Sequence, residues 1–163
     1  MSDLFVTRIS VPESVAEILV KELNTHLANT TMAQLMIKYA HWNVKGPAFF
    51  QTHKLFDEIY EQMVEATDRI GERITALGGV AEGLPEHIGK AYTLSTYTCK
   101  EDDADTMCHI EAVANVVSEV SNGLRGLASL AVEQKDLVTQ GILLSICEVL
   151  DKYTYFLEAH LRA

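Results

Sequence analysis

Val44-Lys45-Gly46-Pro47 is the stretch that decides the fold, because it separates two long runs of helix-forming residues. Adjacent Gly and Pro stop a helix, and a link this short can only reverse the chain, so the second run must return antiparallel beside the first. The first run is expected to start at Ser10-Val11-Pro12-Glu13 and to reach about Val44. There Ser10 can cap, Pro12 fits the first turn and Glu13 can close a capping box. The second run carries Phe56, Ile59, Tyr60, Met63, Thr67, Ile70, Ile74 and Leu77 at helical spacing until Gly78-Gly79 ends it. That stripe is the face this helix should bury.

Two further stripes repeat the pattern: Ile110, Val113, Val117, Val120, Leu124 and Leu127, then Leu143, Cys147, Leu150, Thr154, Leu157 and Leu161. A short polar stretch near Glu133 to Asp136 separates them, which makes a second hairpin. Between the hairpins lies Gly79 to Glu101, broken by Gly83, Pro85 and Gly89. It is long enough to traverse a bundle and to carry a short helix around Pro85 to Ala91. Two hairpins joined by one long crossover give an all-α, ferritin-like four-helix bundle with up-down-down-up connectivity. Residues 1–163 are expected to form it as one domain.

With 48% hydrophobic residues the chain can fill such a core, yet no apolar run approaches the roughly 20 residues of a membrane span. Met1 to Ser10 has no basic start followed by an apolar run, so a soluble, cytoplasmic protein with no membrane partner is expected. Cys99, Cys108 and Cys147 are odd in number and lack C-x-x-C spacing, which points to reduced, structural thiols. A net charge of -10 argues against a nucleic-acid partner, whose phosphates need clustered Lys and Arg. The same carboxylates attract metal cations, but only ligand geometry makes a site.

That geometry lies between His41 and Glu72. His53 with Asp57, and Asp68 with Glu72, are i,i+4 pairs, each placing two metal-binding groups on one helix face. His41 lies about as far before the Gly46-Pro47 bend as His53 lies after it, so closing the hairpin sets the two imidazoles at similar height. The four groups of the second helix fall on an arc roughly 130° from its apolar stripe, flanking the core. Asp57 and Asp68 are about 16 Å apart along the axis, too far to share one metal within a chain. A second copy packed antiparallel about a two-fold axis would bring His53 and Asp57 against Asp68 and Glu72, forming two equivalent intersubunit sites. Val64 and Gly71 lie on the same arc and are small enough to permit that approach. Mixed carboxylate and imidazole ligation with open positions suits Fe(II), with zinc, cobalt and manganese as competitors. The chain contains no Glu-x-x-His, so the usual di-iron centre inside a bundle is not available to it.

In His41-Trp42-Asn43-Val44-Lys45-Gly46, Phe50, His53, Phe56-Asp57-Glu58, Asp68, Glu72-Arg73 and Gly78-Gly79 the chain resembles the Dps family of mini-ferritins. Weaker matches at Leu150-Asp151-Lys152 and Phe156-Leu157-Glu158 extend the resemblance over nearly the whole length. The resemblance implies a dodecamer, a hollow shell with dinuclear ferroxidase centres at its two-fold interfaces. It implies His41, His53 and Asp57 as ligands from one subunit and Asp68 and Glu72 from its neighbour. It also implies oxidation of Fe(II), preferably by hydrogen peroxide and otherwise by oxygen, storage of ferric oxide, and protection from oxidative damage. Trp42 resembles the family aromatic that can donate an electron to an incompletely loaded site; packing at an interface is the alternative reading.

Two features depart from the family. Many members that bind DNA carry a Lys-rich tail, whereas this N-terminus offers only Arg8 before Pro12 and the C-terminus reads Leu161-Arg162-Ala163, which argues against direct DNA binding. Acids that often line the iron entry pore are replaced at one position by Gly141, leaving Glu133, Asp136 and Glu148 as candidate substitutes. His26, His87, His109 and His160 read as ordinary surface or hydrogen-bonded histidines. Asp68 and Glu72 have their own plain reading, as carboxylates facing water or paired with Arg69 or Arg73. A nucleoid-binding shell and a zinc-bound helical scaffold are the competing functions.

Overall fold

Helices occupy most of the structure, a computed structural model that describes residues 4–99 and 105–162. In chain order they are α1 (Glu13–Asn43), α2 (Phe49–Ala76), α3 (Pro85–Ala91), α4 (Thr106–Glu133) and α5 (Leu137–Leu161). The turn between α1 and α2 is as short as Gly46-Pro47 requires. Gly46 takes φ 121°, a conformation closed to side-chain-bearing residues, and Phe49 N–H donates to its carbonyl at 3.0 Å. At the start of α1 the expected capping box does not form. Pro12 is itself the N-cap, no side chain caps the helix, and the amides of Val15 and Ala16 donate to the Pro12 carbonyl instead. Proline pre-sets the backbone there, so Ser10 has no capping position to fill.

Polar anchors fix the helix directions. Thr106 Oγ1 donates to the Lys45 carbonyl at 2.5 Å, so α4 starts at the same end of the bundle as α2. Arg73, near the end of α2, bonds Asp136 at 2.7 Å, just before α5. Hence α2 and α4 run parallel while α1 and α5 oppose them: up, down, down, up. The crossover is pinned along α1, where Asn24 receives the Glu82 amide at 2.9 Å and Asn29 receives the Thr93 amide at 2.7 Å.

The core forms where the stripes meet. Phe56, Ile59, Met63, Ile70 and Ile74 of α2 face Ile110, Val113, Val117 and Leu124 of α4 and Leu143, Leu150 and Leu157 of α5, all at most 1% exposed. Each such side chain contributes about 1.5–3 kcal/mol by leaving water, which is what holds four long helices together. Tyr60, Thr67 and Thr154 sit at the edge of their stripes, and Leu161 is exposed where α5 frays.

The thiols differ from the sequence reading. Cys99, at the end of the crossover, is joined to Cys108, in the first turn of α4, with Cα atoms 5.6 Å apart; only Cys147 is free and buried. An odd count argues against a disulfide framework, but not against one local pair where a loop returns to its own helix. No helix among the described residues is long and apolar enough to cross a membrane.

Candidate metal centre

Closing the α1–α2 hairpin stacks the rings of His41 and His53, with centroids 3.7 Å apart and planes 24° from parallel. Each ring is held by the other residue's backbone. His41 Nδ1 lies 3.0 Å from the His53 carbonyl oxygen, and His53 Nδ1 lies 2.8 Å from the His41 carbonyl oxygen. A carbonyl only accepts, so both Nδ1 atoms carry a proton, and Nε2 is the ring nitrogen left for a further partner. Orientation by a backbone carbonyl through the other ring nitrogen is the arrangement that metal-binding imidazoles use. Phe49 flanks the pair, its ring 5.0 Å from that of His53.

Asp57 joins this cluster one turn along α2, with Oδ1 3.8 Å from His41 Nδ1 and its side chain 46% exposed. The Lys38 ammonium pairs with the same carboxylate and lies 4.4 Å from the centre of the Tyr60 ring. The Lys38 hydrogen bond holds the Asp57 carboxyl below the usual carboxylate range, so it is ionised at neutral pH. Lys38 escapes the sequence reading because lysine is not a metal ligand. Its place three residues before His41 is the signal, since that spacing puts both on one face of α1. Its ammonium supplies the positive charge that faces the Asp57 carboxylate.

Asp68 and Glu72 lie further along α2 and are exposed. The two arginines beside them point elsewhere: Arg69 donates to Ser145 at 2.6 Å, and Arg73 donates to Thr139 at 2.8 Å and Asp136 at 2.7 Å. Neither carboxylate has an ion-pair partner among the described residues, so pairing with Arg69 or Arg73 does not account for them. Within one chain no three His, Cys, Asp or Glu side chains among the described residues form a set able to hold a metal ion. The structure thus brings His41, His53 and Asp57 together and leaves Asp68 and Glu72 apart from them on the same helix. Trp42, next to His41 in the chain, is 68% exposed, and Phe49 and Phe50, at the start of α2, are exposed as well.

Asp136 does not serve as a pore acid. It is 6% exposed, accepts from Arg73 and Thr139 and caps α5 through the Val138 and Thr139 amides. Burial raises its pKa, but the hydrogen bonds from Thr139 and Arg73 outweigh that and leave it below the usual range. Glu133, Gly141 and Glu148 are exposed.

The family model described as a ferritin-like domain matches residues 20–163. A DNA protection during starvation protein of Agrobacterium fabrum is 32% identical over 156 residues, spanning 96% of this chain and 95% of that protein. This chain belongs to the Dps family of ferritin-like proteins. Solved Dps structures carry the same fold. That of Mycobacterium smegmatis superposes with a TM-score of 0.90 at 28% identity, over 97% of this chain and 94% of the other. A Streptomyces coelicolor Dps gives 0.91 at 29% identity, over 99% and 95%. Membership of the Dps family fits the all-α bundle and its long crossover described above.

Proposed function

We propose that this chain is a ferroxidase and iron-storage protein that oxidises Fe(II), preferably with hydrogen peroxide, at dinuclear sites shared between subunits. The observation that carries this reading is the locked imidazole pair. Each ring is fixed through Nδ1 by a backbone carbonyl, which leaves Nε2 for a metal, and the ionised Asp57 lies 3.8 Å from His41 Nδ1. In the proposed assembly, a two-fold mate supplies Asp68 and Glu72 to these groups. Iron is the substrate, not a resident group.

Peroxide needs two electrons to become water, while one Fe(II) gives one electron and leaves a radical. Two Fe(II) held side by side give both, so that 2 Fe(II) + H2O2 + 2 H⁺ becomes 2 Fe(III) + 2 H2O. The chain's own residues hold the ions in place: carboxylates neutralise charge, and neutral imidazoles accommodate Fe(II) without closing its coordination sphere. Zinc is expected to compete at the same groups. Ferric oxide would collect inside a dodecameric shell, with Glu58, Glu61 and Glu65 as candidate nucleating carboxylates. In this reading Trp42, next to a proposed ligand in the chain and exposed, supplies a missing electron when only one iron is bound. With a net charge of -10, direct DNA coating is not part of this reading. Protection comes from removing peroxide and Fe(II) together, by a single-domain cytoplasmic protein.

The test is anaerobic loading with Fe(II), then stoichiometric peroxide, followed by ferric absorbance. Rapid oxidation is expected from the native protein and loss of it from His53→Ala and from Asp68→Ala. Equal rates in all three would overturn the assignment.

A further inference from the structure

We propose that Cys99 and Cys108 are a reversible thiol–disulfide pair that reduces hydrogen peroxide without metal, and that its closure clasps the crossover to α4 behind the turn joining His41 to His53. The sulfurs are bonded across Cα atoms 5.6 Å apart, a separation that disulfides span without backbone movement. The same two segments are tied a second time. Tyr97, two residues before Cys99, lies with its hydroxyl 2.9 Å from Nδ1 of His109, the residue after Cys108. The Tyr97 ring in turn packs edge-on against Tyr39, 5.4 Å between centroids and two residues before His41. On the other side of Cys108, the start of α4 grips the hairpin turn. Asp105 bridges Lys45, and Thr106 donates to the Lys45 carbonyl at 2.5 Å. The pair therefore joins the two pieces of chain that brace the end of the bundle holding both histidines.

The chemistry balances within the pair and the peroxide. Cys108 is half-buried and Cys99 only 4% exposed, so Cys108 is the sulfur that meets the oxidant. Its thiolate attacks one peroxide oxygen, the O–O bond breaks, and hydroxide leaves to become water, giving a sulfenic acid. The Cys99 thiolate then displaces the second oxygen, also as water, and the S–S bond forms. Two thiols have lost two electrons and two protons, and one peroxide has become two waters. A small thiol reductant reopens the bond by exchange. In a reducing compartment a disulfide is transient and redox-responsive, which suits a local pair of this kind better than a permanent staple. Zinc ligation by the pair is disfavoured, since no three metal-binding side chains cluster among the described residues. Cys147 takes no part: it is 3% exposed, and burial pushes its thiol pKa up.

The experiment uses the assembled full-length protein, freed of metal by chelation and reduced with dithiothreitol. After desalting and one equivalent of hydrogen peroxide, it is denatured in the presence of an alkylating agent and weighed by mass spectrometry. The chain has three cysteines, so alkylation should fall from three to one per chain, with a Cys99–Cys108 linked peptide, and return to three with dithiothreitol. Three alkylated cysteines after peroxide, a sulfinic acid in place of the link, or loss of Cys147 instead would overturn the proposal. The result is independent of iron oxidation, so the two readings fail separately. Hydrogen exchange tests the clasp: reduction should lower amide protection across residues 44–49 in the native protein and change nothing in Cys108→Ser. Unchanged protection in the native protein would refute it, and the alkylation count stands even if the variant misfolds.

Discussion

His26 projects from α1 against Gly123 of α4, its Nδ1 buried without a partner among the described residues, and burial lowers its pKa from 6.5 to about 4. The folded protein therefore binds this proton less readily than the unfolded chain does. Its contribution to stability is complete above pH 6.5 and is lost as pH falls towards about 4. The full effect is on the order of 3 kcal/mol. Thermal melts from pH 7 to 4 should fall more steeply for the native protein than for His26→Leu, whose curve lacks this proton uptake. Arg73 presents the opposite case, a buried charge that is paired. Arg73→Ala would leave Asp136 buried without its cation, at a cost of about 3–5 kcal/mol, visible as a lower denaturation midpoint.

At the scale of the elements, the chain just beyond α2 lies directly on α1. A Cβ on Gly79 would lie 2.5 Å from Cγ1 of Val20, a buried side chain that cannot swing away. Gly79→Ala should therefore destabilise by about 1–3 kcal/mol through overpacking, read as a drop in Tm with helix content retained. Most of this level is legible in the sequence, because burial repeats with the helical period. Every residue of the Ile110 to Leu127 stripe is buried as the spacing requires. The short helix Pro85–Ala91 also follows from its punctuation. What escapes the reading depends on contacts that no periodicity reveals. Asp136 reads as an exposed acid until Arg73 arrives from α2 to cover it, and Cys99 finds Cys108 only when the crossover returns. Lys38 escapes because it pairs with a carboxylate across the hairpin, which no ligand spacing reveals.

For the whole molecule, the decisive expectation concerns the second copy. An antiparallel register that sets His53 against Glu72, and Asp57 against Asp68, also sets Val64 against Glu61 of the mate. Val64 is 40% exposed, so Val64→Glu would oppose two carboxylates on each side of the axis. Size-exclusion chromatography should show a smaller species than the native assembly, with unchanged helix content and loss of peroxide-driven iron oxidation. Mixing His53→Ala and Asp68→Ala chains should restore part of the activity, because some interfaces then carry one complete site. No recovery on mixing would place all the ligands within one chain.

The mutual grip of His41 and His53 makes the hairpin its own ruler. Each imidazole is steadied by a carbonyl on the opposite helix, so inserting or deleting one residue between Val44 and Ala48 would swing His53 by about 100° and undo both bonds at once. A bundle could tolerate a longer loop there. On the proposed function, the length of this one answers to the histidine pair rather than to the bundle, and a descendant that keeps both bonds must inherit the turn unaltered.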